Sequence, residues 1–227
     1  GRPVIQEPTP DLHRLPVETL RRELRSRLTG CQYTDSDLRV GAVSRSAMER
    51  LRTLFPLQPT RAAVLIPLID RGAELTVLLT HRASDLKHHA GQISFPGGRL
   101  EPGDDNAVAA ALRETEEEIG LRREFVEVLG CLPDHVVISG YRVTPVVGLV
   151  SPGFELVLDP TEVSGTFEAP LRHLLDPATH ARRMHRIGGE DLELLDLPWG
   201  GHTIWGATAG MLLTLRELLG GLPLHGD

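Results

Sequence analysis

Residues 95–121 read FPGGRLEPGDDNAVAAALRETEEEIGL, a proline–glycine turn running into a carboxylate-rich helix, and the rest of the chain is ordered around them. On a helix at about 100° per residue, Val108, Leu112, Thr115 and Ile119 fall on one side as a mostly apolar stripe suited to a core. Glu114, Glu117 and Glu118, spaced i, i+3 and i+4, gather on nearly the opposite side, where Ala107, Ala110 and Ala111 keep the surface clear of bulk. Glu116 points elsewhere. Like charges one turn apart on an exposed helix repel by roughly 0.2–0.5 kcal/mol per pair, so this face asks for a compensating cation. Hard divalent ions such as magnesium accept oxygen ligands and usually share them with substrate phosphates.

Upstream, AAVLIPLI at 62–69 is a nearly continuous apolar run suited to a buried strand. A turn at Asp70, Arg71 and Gly72 leads into ELTVLLT at 74–80, consistent with a hairpin, and a further strand is expected around 92–95. After the acidic helix, 125–132 and 142–150 read as strands, with PDHVVISG between them as a loop at the edge of the site. A short strand at 166–170 leads into a helical 171–175, then a loop-like polar region at 176–189 and a closing helix at 203–219. At the other end, 1–16 carries four prolines and reads as extended or poorly ordered. Segments 17–28 and 46–55 read as helices that cover the main domain or dimerise it, and 35–39 as a turn. Strands and helices alternate without a strict βαβ rhythm. The expectation is an α/β fold with a mixed sheet packed between helices, not a doubly wound parallel sheet. Residues 1–60 form a helical extension, 61–220 the main domain and 221–227 a tail.

The chain of 227 residues is 41% hydrophobic and 24% charged, ordinary values for a globular domain. Its net charge of −7 argues against a broad basic surface for nucleic acid. Cys31 and Cys131 lack metal-ligand spacing and are too few for a disulfide framework, so both read as small packing residues. No apolar run approaches the roughly 18–20 residues of a membrane helix, and the first thirty residues lack the apolar core of a secretory signal. The C-terminal LPLHGD matches no lipidation or retention signal. A cytoplasmic location is the simplest reading.

Gly98, the acidic pair Asp104 and Asp105, and then Arg113-Glu114-Thr115-Glu116-Glu117-Glu118-Ile119-Gly120-Leu121 resemble the Nudix box, G-x5-E-x7-R-E-U-x-E-E-x-G-U with U aliphatic. Two departures stand out. Asp104/Asp105 replaces the single Glu with one extra residue of spacing, and Thr115 occupies an aliphatic position. Upstream, Leu78-Leu79-Thr80-His81-Arg82-Ala83 and Gly91-Gln92-Ile93-Ser94-Phe95-Pro96-Gly97-Gly98 resemble the added signature of the coenzyme A diphosphatase branch, which the extra residue before Arg113 also fits. Lys87 stands where that branch carries Arg, keeping charge but not bidentate phosphate geometry. The likeness continues through Glu162-Val163, 167–171 and 204–210, so it spans residues 62–219 and leaves the first sixty outside.

The resemblance implies an α/β/α sandwich, a divalent metal (Mg2+ or Mn2+), and a small-molecule diphosphate substrate, with no nucleic acid or membrane partner and a homodimer as an option. For this branch it implies cleavage of coenzyme A or its derivatives to 3′,5′-ADP and 4′-phosphopantetheine. The alternatives are another nucleoside diphosphate derivative (ADP-ribose, a dinucleotide or capped RNA) or a non-catalytic nucleotide-sensing module, which fits less well because no box carboxylate is lost. Metal binding falls to Glu114, Glu117 and Glu118, with Glu162 as an extra carboxylate and one of the helical three doubling as general base. Arg113 orients a metal-binding carboxylate. Arg82, Lys87 and His89, with His88 as a weaker candidate, and Gln92 meet the anionic substrate, while Gly97 and Gly98 let the backbone turn tightly and approach it. Asp104 and Asp105 suit the helix N-terminus as caps. Asp134 and His135 are weaker site candidates, and Trp205 reads as a packing residue.

Overall fold

The computed structural model describes residues 11–28, 30–41, 49–84 and 92–221. Its organising strand is β1 (Thr60–Asp70). Successive residues of β1 serve opposite faces: Ala62, Ile66 and Leu68 enter one core cluster and Ala63, Leu65 and Ile69 another. A strand buried on both faces needs no polar alternation, which is why the run reads as continuously apolar.

β7 (Tyr141–Val150) pairs with β1 in parallel from Thr60↔Tyr141 to Ile69↔Val150. The other edge of β1 is shared. β2 (Leu75–Arg82) forms the expected hairpin over Leu68–Asp70, and β4 (Gly97–Arg99) pairs over Ala62–Val64. Beyond Val77, β2 therefore diverges from β1. The segment 93–99 fills the wedge, with β3 (Ile93–Ser94) paired to Thr80 and His81 of β2. Pro67, which has no N–H to donate, falls in the gap between the two pairings. β5 (Val126–Cys131) and β6 (His135–Val137) lie antiparallel to β7, and β8 (Val163–Pro170) antiparallel to β2, completing an eight-stranded mixed sheet.

The helix α2 (Ala107–Ile119) covers one face of this sheet. The opposite face is filled by α1 (Val17–Arg27), α3 (Leu171–Leu175) and α4 (Gly206–Leu218). The layering is thus the expected mixed sheet between helices. Leu20, Leu24 and Leu28 at i+4 spacing bury completely, so α1 is part of the main core. A second sheet, β9 (Ala181–Ile187), β10 (Glu190–Trp199) and β11 (His202–Ile204), packs beside it. Expectations for 1–10 and 42–48 lie outside the described residues.

Three readings change. The region expected to be a loop at 176–189 contains β9, whose sequence ARRMHRI hides its strand character because it is a charged edge. Its arginines pair with acids of β10, Arg182 with Glu193 at 3.3 Å and Arg186 with Asp191 at 3.0 Å. PDHVVISG is also not all loop, since β6 folds back on β7. Finally, Cys31 and Cys131 form a disulfide with Cα atoms 4.7 Å apart across 100 residues of sequence. The chain leaving α1 runs along β5, where the Cys131 N–H donates to the Gly30 carbonyl at 2.9 Å. No local pattern reports such a juxtaposition.

Candidate active site

Local chemistry sets both ends of α2. Asn106, not Asp104 or Asp105, is the N-cap, its side chain accepting from the Ala109 N–H at 2.9 Å. At the other end Gly120 takes the left-handed conformation (φ 70°), and its N–H donates to the Glu116 carbonyl. The loop 151–162 closes over this end, with the Val157 and Asp159 N–H groups donating to the Ile119 and Glu118 carbonyls at 2.9 and 2.8 Å.

The helix is rotated from the expected orientation. Its buried residues are Ala110, Ala111, Thr115, Glu118 and Ile119, while Val108 and Leu112 are only partly buried. The alanines therefore do not clear an open face. They let the helix pack closely against Ala63 and Leu65 of β1, which turns the acidic side toward the sheet. Thr115 accounts for its departure from the aliphatic pattern, because its buried hydroxyl donates to the Ala111 carbonyl at 2.7 Å.

Consequently the three glutamates differ. Glu118 is 5% exposed and accepts from the Gly97 N–H at 3.3 Å. Burial pushes its carboxyl up to about 8; the Gly97 bond and Arg82 oppose that, and Glu114 and Glu162 add to it. Glu114 is partly buried and also raised, first by burial and against the pull of Arg113. Glu117 is exposed. Gly97 and Gly98 have a steric role in place of the expected tight turn, and neither has positive φ. A Cβ on Gly97 would sit 2.2 Å from the Ala63 carbonyl oxygen, and one on Gly98 would sit 2.6 Å from the Glu114 carboxyl carbon. At Gly97 the obstacle is the backbone of β1, so only glycine fits there, whereas at Gly98 it is the movable end of the Glu114 side chain.

Arg113 gathers this cluster. Its Nε and Nη2 each donate to Asp104 at 2.8 Å, Nη1 donates to Glu114 at 3.0 Å and to Glu117 at 3.2 Å, and Nη2 reaches the Arg99 carbonyl at 3.2 Å. The guanidinium, and then the Glu101 N–H, hold the Asp104 carboxyl down at about 2. Asp104 is thus the clamp for Arg113 and not a cap, a contact foreshadowed only by the acid–arginine spacing. Glu116 leaves the cluster, accepting from the Arg123 N–H at 2.8 Å and from its guanidinium at 3.1 Å.

Arg82 ends β2 close enough to Glu118 to pull its carboxyl down, and its Nε is buried with no partner among the described residues. The Arg82 N–H donates to the Gln92 carbonyl and the Ala83 N–H to the Glu162 carbonyl, both at 2.9 Å, so these residues share one rim. Lys87, His88 and His89 lie outside the described residues. Asp134 is structural, accepting from Arg142 and Thr144 at 2.7 Å each. His135 is fully buried between Pro133 and Thr214. Trp205 packs as expected, stacked on His185 at 4.4 Å.

A cation suits this donor set. Glu118 and Glu114 are oxygen ligands whose burial disfavours charge until a counter-charge arrives, and the orphaned Arg82 Nε beside them suits an anionic oxygen. Among the described residues no three acid, imidazole or thiol groups converge into a cage. Magnesium does not need one, since it keeps waters and is commonly held by one or two carboxylates plus phosphate.

Comparison with known proteins adds the lineage. Residues 59–186 match the model of the NUDIX domain. A Shigella flexneri protein named "Uncharacterized Nudix hydrolase NudL" is 41% identical over 170 residues, covering 74% of this chain and 87% of its own. Its namesake from Klebsiella pneumoniae strain 342 is 39% identical over 185 residues, covering 78% and 94%. Among solved structures, the Nudix hydrolase RenU of M. Smegmatis aligns with a TM-score of 0.45 at 22% identity, covering 74% of this chain and 92% of that one. With a domain match over more than half its length and relatives near 40% identity, the chain belongs to the NUDIX family and is a hydrolase of diphosphate bonds.

Proposed function

We propose that this hydrolase splits the diphosphate of coenzyme A or its derivatives, releasing 3′,5′-ADP and 4′-phosphopantetheine or its acylated form. The observation that carries the reading is the placement of the signature resembling the coenzyme A branch. Its two described halves, 78–83 and 92–98, are one device, the diverging end of β2 and the wedge beside it, with the unpartnered Arg82 Nε next to Glu118. An anion-binding arginine at the mouth of the acidic helix is what a diphosphate requires. On this reading residues 61–220 carry the chemistry, α1 of the N-terminal extension completes their core, and the protein works in the cytoplasm.

Hydrolases of this family use divalent metal ions; here magnesium or manganese would be held by one or two carboxylates of the set Glu114, Glu117 and Glu118 together with water and the diphosphate, with Glu162 at the rim. When bound, the metal supplies neutralisation of the charge that develops on the diphosphate oxygens. The chain's own residues do the rest. Arg82 and Gln92, with Lys87 and His89, bind and orient the anion, the first by charge-assisted hydrogen bonds. Arg113, fixed by Asp104, keeps Glu114 and Glu117 turned toward the substrate. Glu114 and Glu117 are the candidates to take the proton of the attacking water, since both reach the solvent-accessible side of the cluster.

Incubation of the protein and magnesium with coenzyme A and with ADP-ribose, side by side, followed by mass-spectrometric product analysis, tests this reading. The expected products are 3′,5′-ADP and 4′-phosphopantetheine, with coenzyme A turned over faster. If ADP-ribose wins by a wide margin, the substrate assignment is wrong and the alternative diphosphate reading takes its place.

A further inference from the structure

The end of β2 is gripped from behind the sheet. Leu78 belongs to the core cluster under α2 and Leu79 to the opposite one, so strand alternation sends His81 away from the acidic helix and Arg82 toward it. The β2–β8 register slips between His81 and Arg82, because Ser164 is an extra residue on β8 between Gly165 and Val163, a bulge of the kind found beside functional sites. β1 no longer pairs with β2 here. What holds the bulge is a pile of rings. His81 Nε2 lies 3.1 Å from His202 Nδ1, across 121 residues of sequence, and the His202 ring stacks on Phe167 at 3.8 Å with planes 6° apart. His81 also lies 5.3 Å from Phe167 between ring centroids, and its carbonyl accepts from the Ser164 hydroxyl at 3.3 Å. Three elements, β2, β8 and β11, thus meet at one nitrogen–nitrogen hydrogen bond.

We propose that His81 and His202 are positioning residues for substrate binding: their imidazole pair, seated on Phe167, locks the end of β2 against the bulge of β8 and so aims Arg82, and with it the Glu162 rim, at the diphosphate. The bond needs one proton between the facing nitrogens. It survives a single protonation of the pair and breaks at the second, when both nitrogens carry hydrogen. Burial, and then His202, hold His81 below the ordinary imidazole range, so the pair enters that state only in acid. Among the described residues His202 is the titratable group facing His81; Phe167 on β8 and Ile93 on β3 are uncharged, and Arg82 projects from the other face. The role of Arg82 in this inference rests on the proposed function; the lock itself does not.

Two measurements separate the two ideas. The first is amide hydrogen exchange at Arg82 and Ala83 in the full chain. His202→Phe, which keeps the stack on Phe167 and removes the nitrogen, is expected to speed exchange there about tenfold, the worth of one hydrogen bond. The wild type should do the same, after correction for intrinsic rates, as the pH is lowered below the ordinary imidazole range. The second is the KM–kcat split with coenzyme A and magnesium. KM should rise about tenfold in His202→Phe with kcat nearly unchanged, and His202→Asn, which restores a polar partner, should recover most of the loss. Unchanged exchange at both amides in a cooperatively folding His202→Phe would overturn the lock. An unchanged KM in that variant, beside a raised KM in Arg82→Ala, would overturn the positioning role. A wild type that leaves coenzyme A intact would overturn the substrate assignment alone, with exchange still deciding the lock.

Discussion

Glu116 and Glu117 are neighbours in sequence with opposite duties. Glu117 shares Arg113 with Glu114, whereas Glu116 ties the end of α2 to Arg123. Glu117→Gln is therefore expected to lower turnover of coenzyme A by about a hundredfold or more, in the range seen when a general base or charge-stabilising group is removed. Glu116→Gln should keep turnover within about twofold of wild type and cost less than about 1 kcal/mol, since its ion pair is partly exposed. Steady-state kinetics on both variants check this, and equal losses would mean that the acidic cluster is divided differently. Helix spacing alone separates Glu116 from the other three. It does not rank those three by burial, because that depends on where β1 lies. His135 shows the same gap between type and place. Burial holds its imidazole at about 4, below the ordinary 6.5, so it is neutral in the fold. The unfolded chain takes up its proton near pH 6.5 and the folded one only near 4, so stability should fall as pH drops through that window and level off below it. The loss attributable to this residue is about 3 kcal/mol, read as the difference in urea-unfolding free energy between wild type and His135→Gln across the window.

At the scale of elements, α2 illustrates what periodicity delivers. Its extent and the Gly120 stop follow from local preferences that operate within one turn, and they were legible. Its rotation was not, because alanine is read as neutral filler whereas in a two-layer contact it is the residue that permits close approach. By sequence the acids before the helix suit its N-terminal dipole, yet Asn106 caps and Asp104 clamps. Asn106→Ala should cost about 1 kcal/mol of unfolding free energy while leaving turnover intact. Thermal or urea denaturation of the variant, paired with an activity assay, tests both halves of that statement. β9 is hidden in the sequence for a related reason, since its outward arginines erase the apolar alternation by which strands are found.

Across the whole molecule, the disulfide between Cys31 and Cys131 closes a loop that contains β1, β2 and α2, fastening the chain after α1 to β5. In the chain-entropy view a loop of this length restrains the unfolded state by up to about 4.7 kcal/mol, and disulfides typically deliver about 2–4 kcal/mol. Reduction with dithiothreitol, or Cys31→Ser at the exposed end of the bridge, should lower unfolding free energy by that amount with little change in turnover. Identical urea curves for oxidised and reduced protein would show that the noncovalent contacts along β5 suffice. By itself the sequence determined the acidic helix, the hairpin leading to it and the kind of chemistry they serve. Each of these rests on residue types at fixed short spacings, and backbone geometry converts such spacings into shape directly. Tertiary structure alone decided which carboxylate is buried, which acid holds Arg113, where β8 bulges and what grips the end of β2, and that the two cysteines meet. Those outcomes depend on contacts between residues from 9 to 121 positions apart, which only the packed fold brings together.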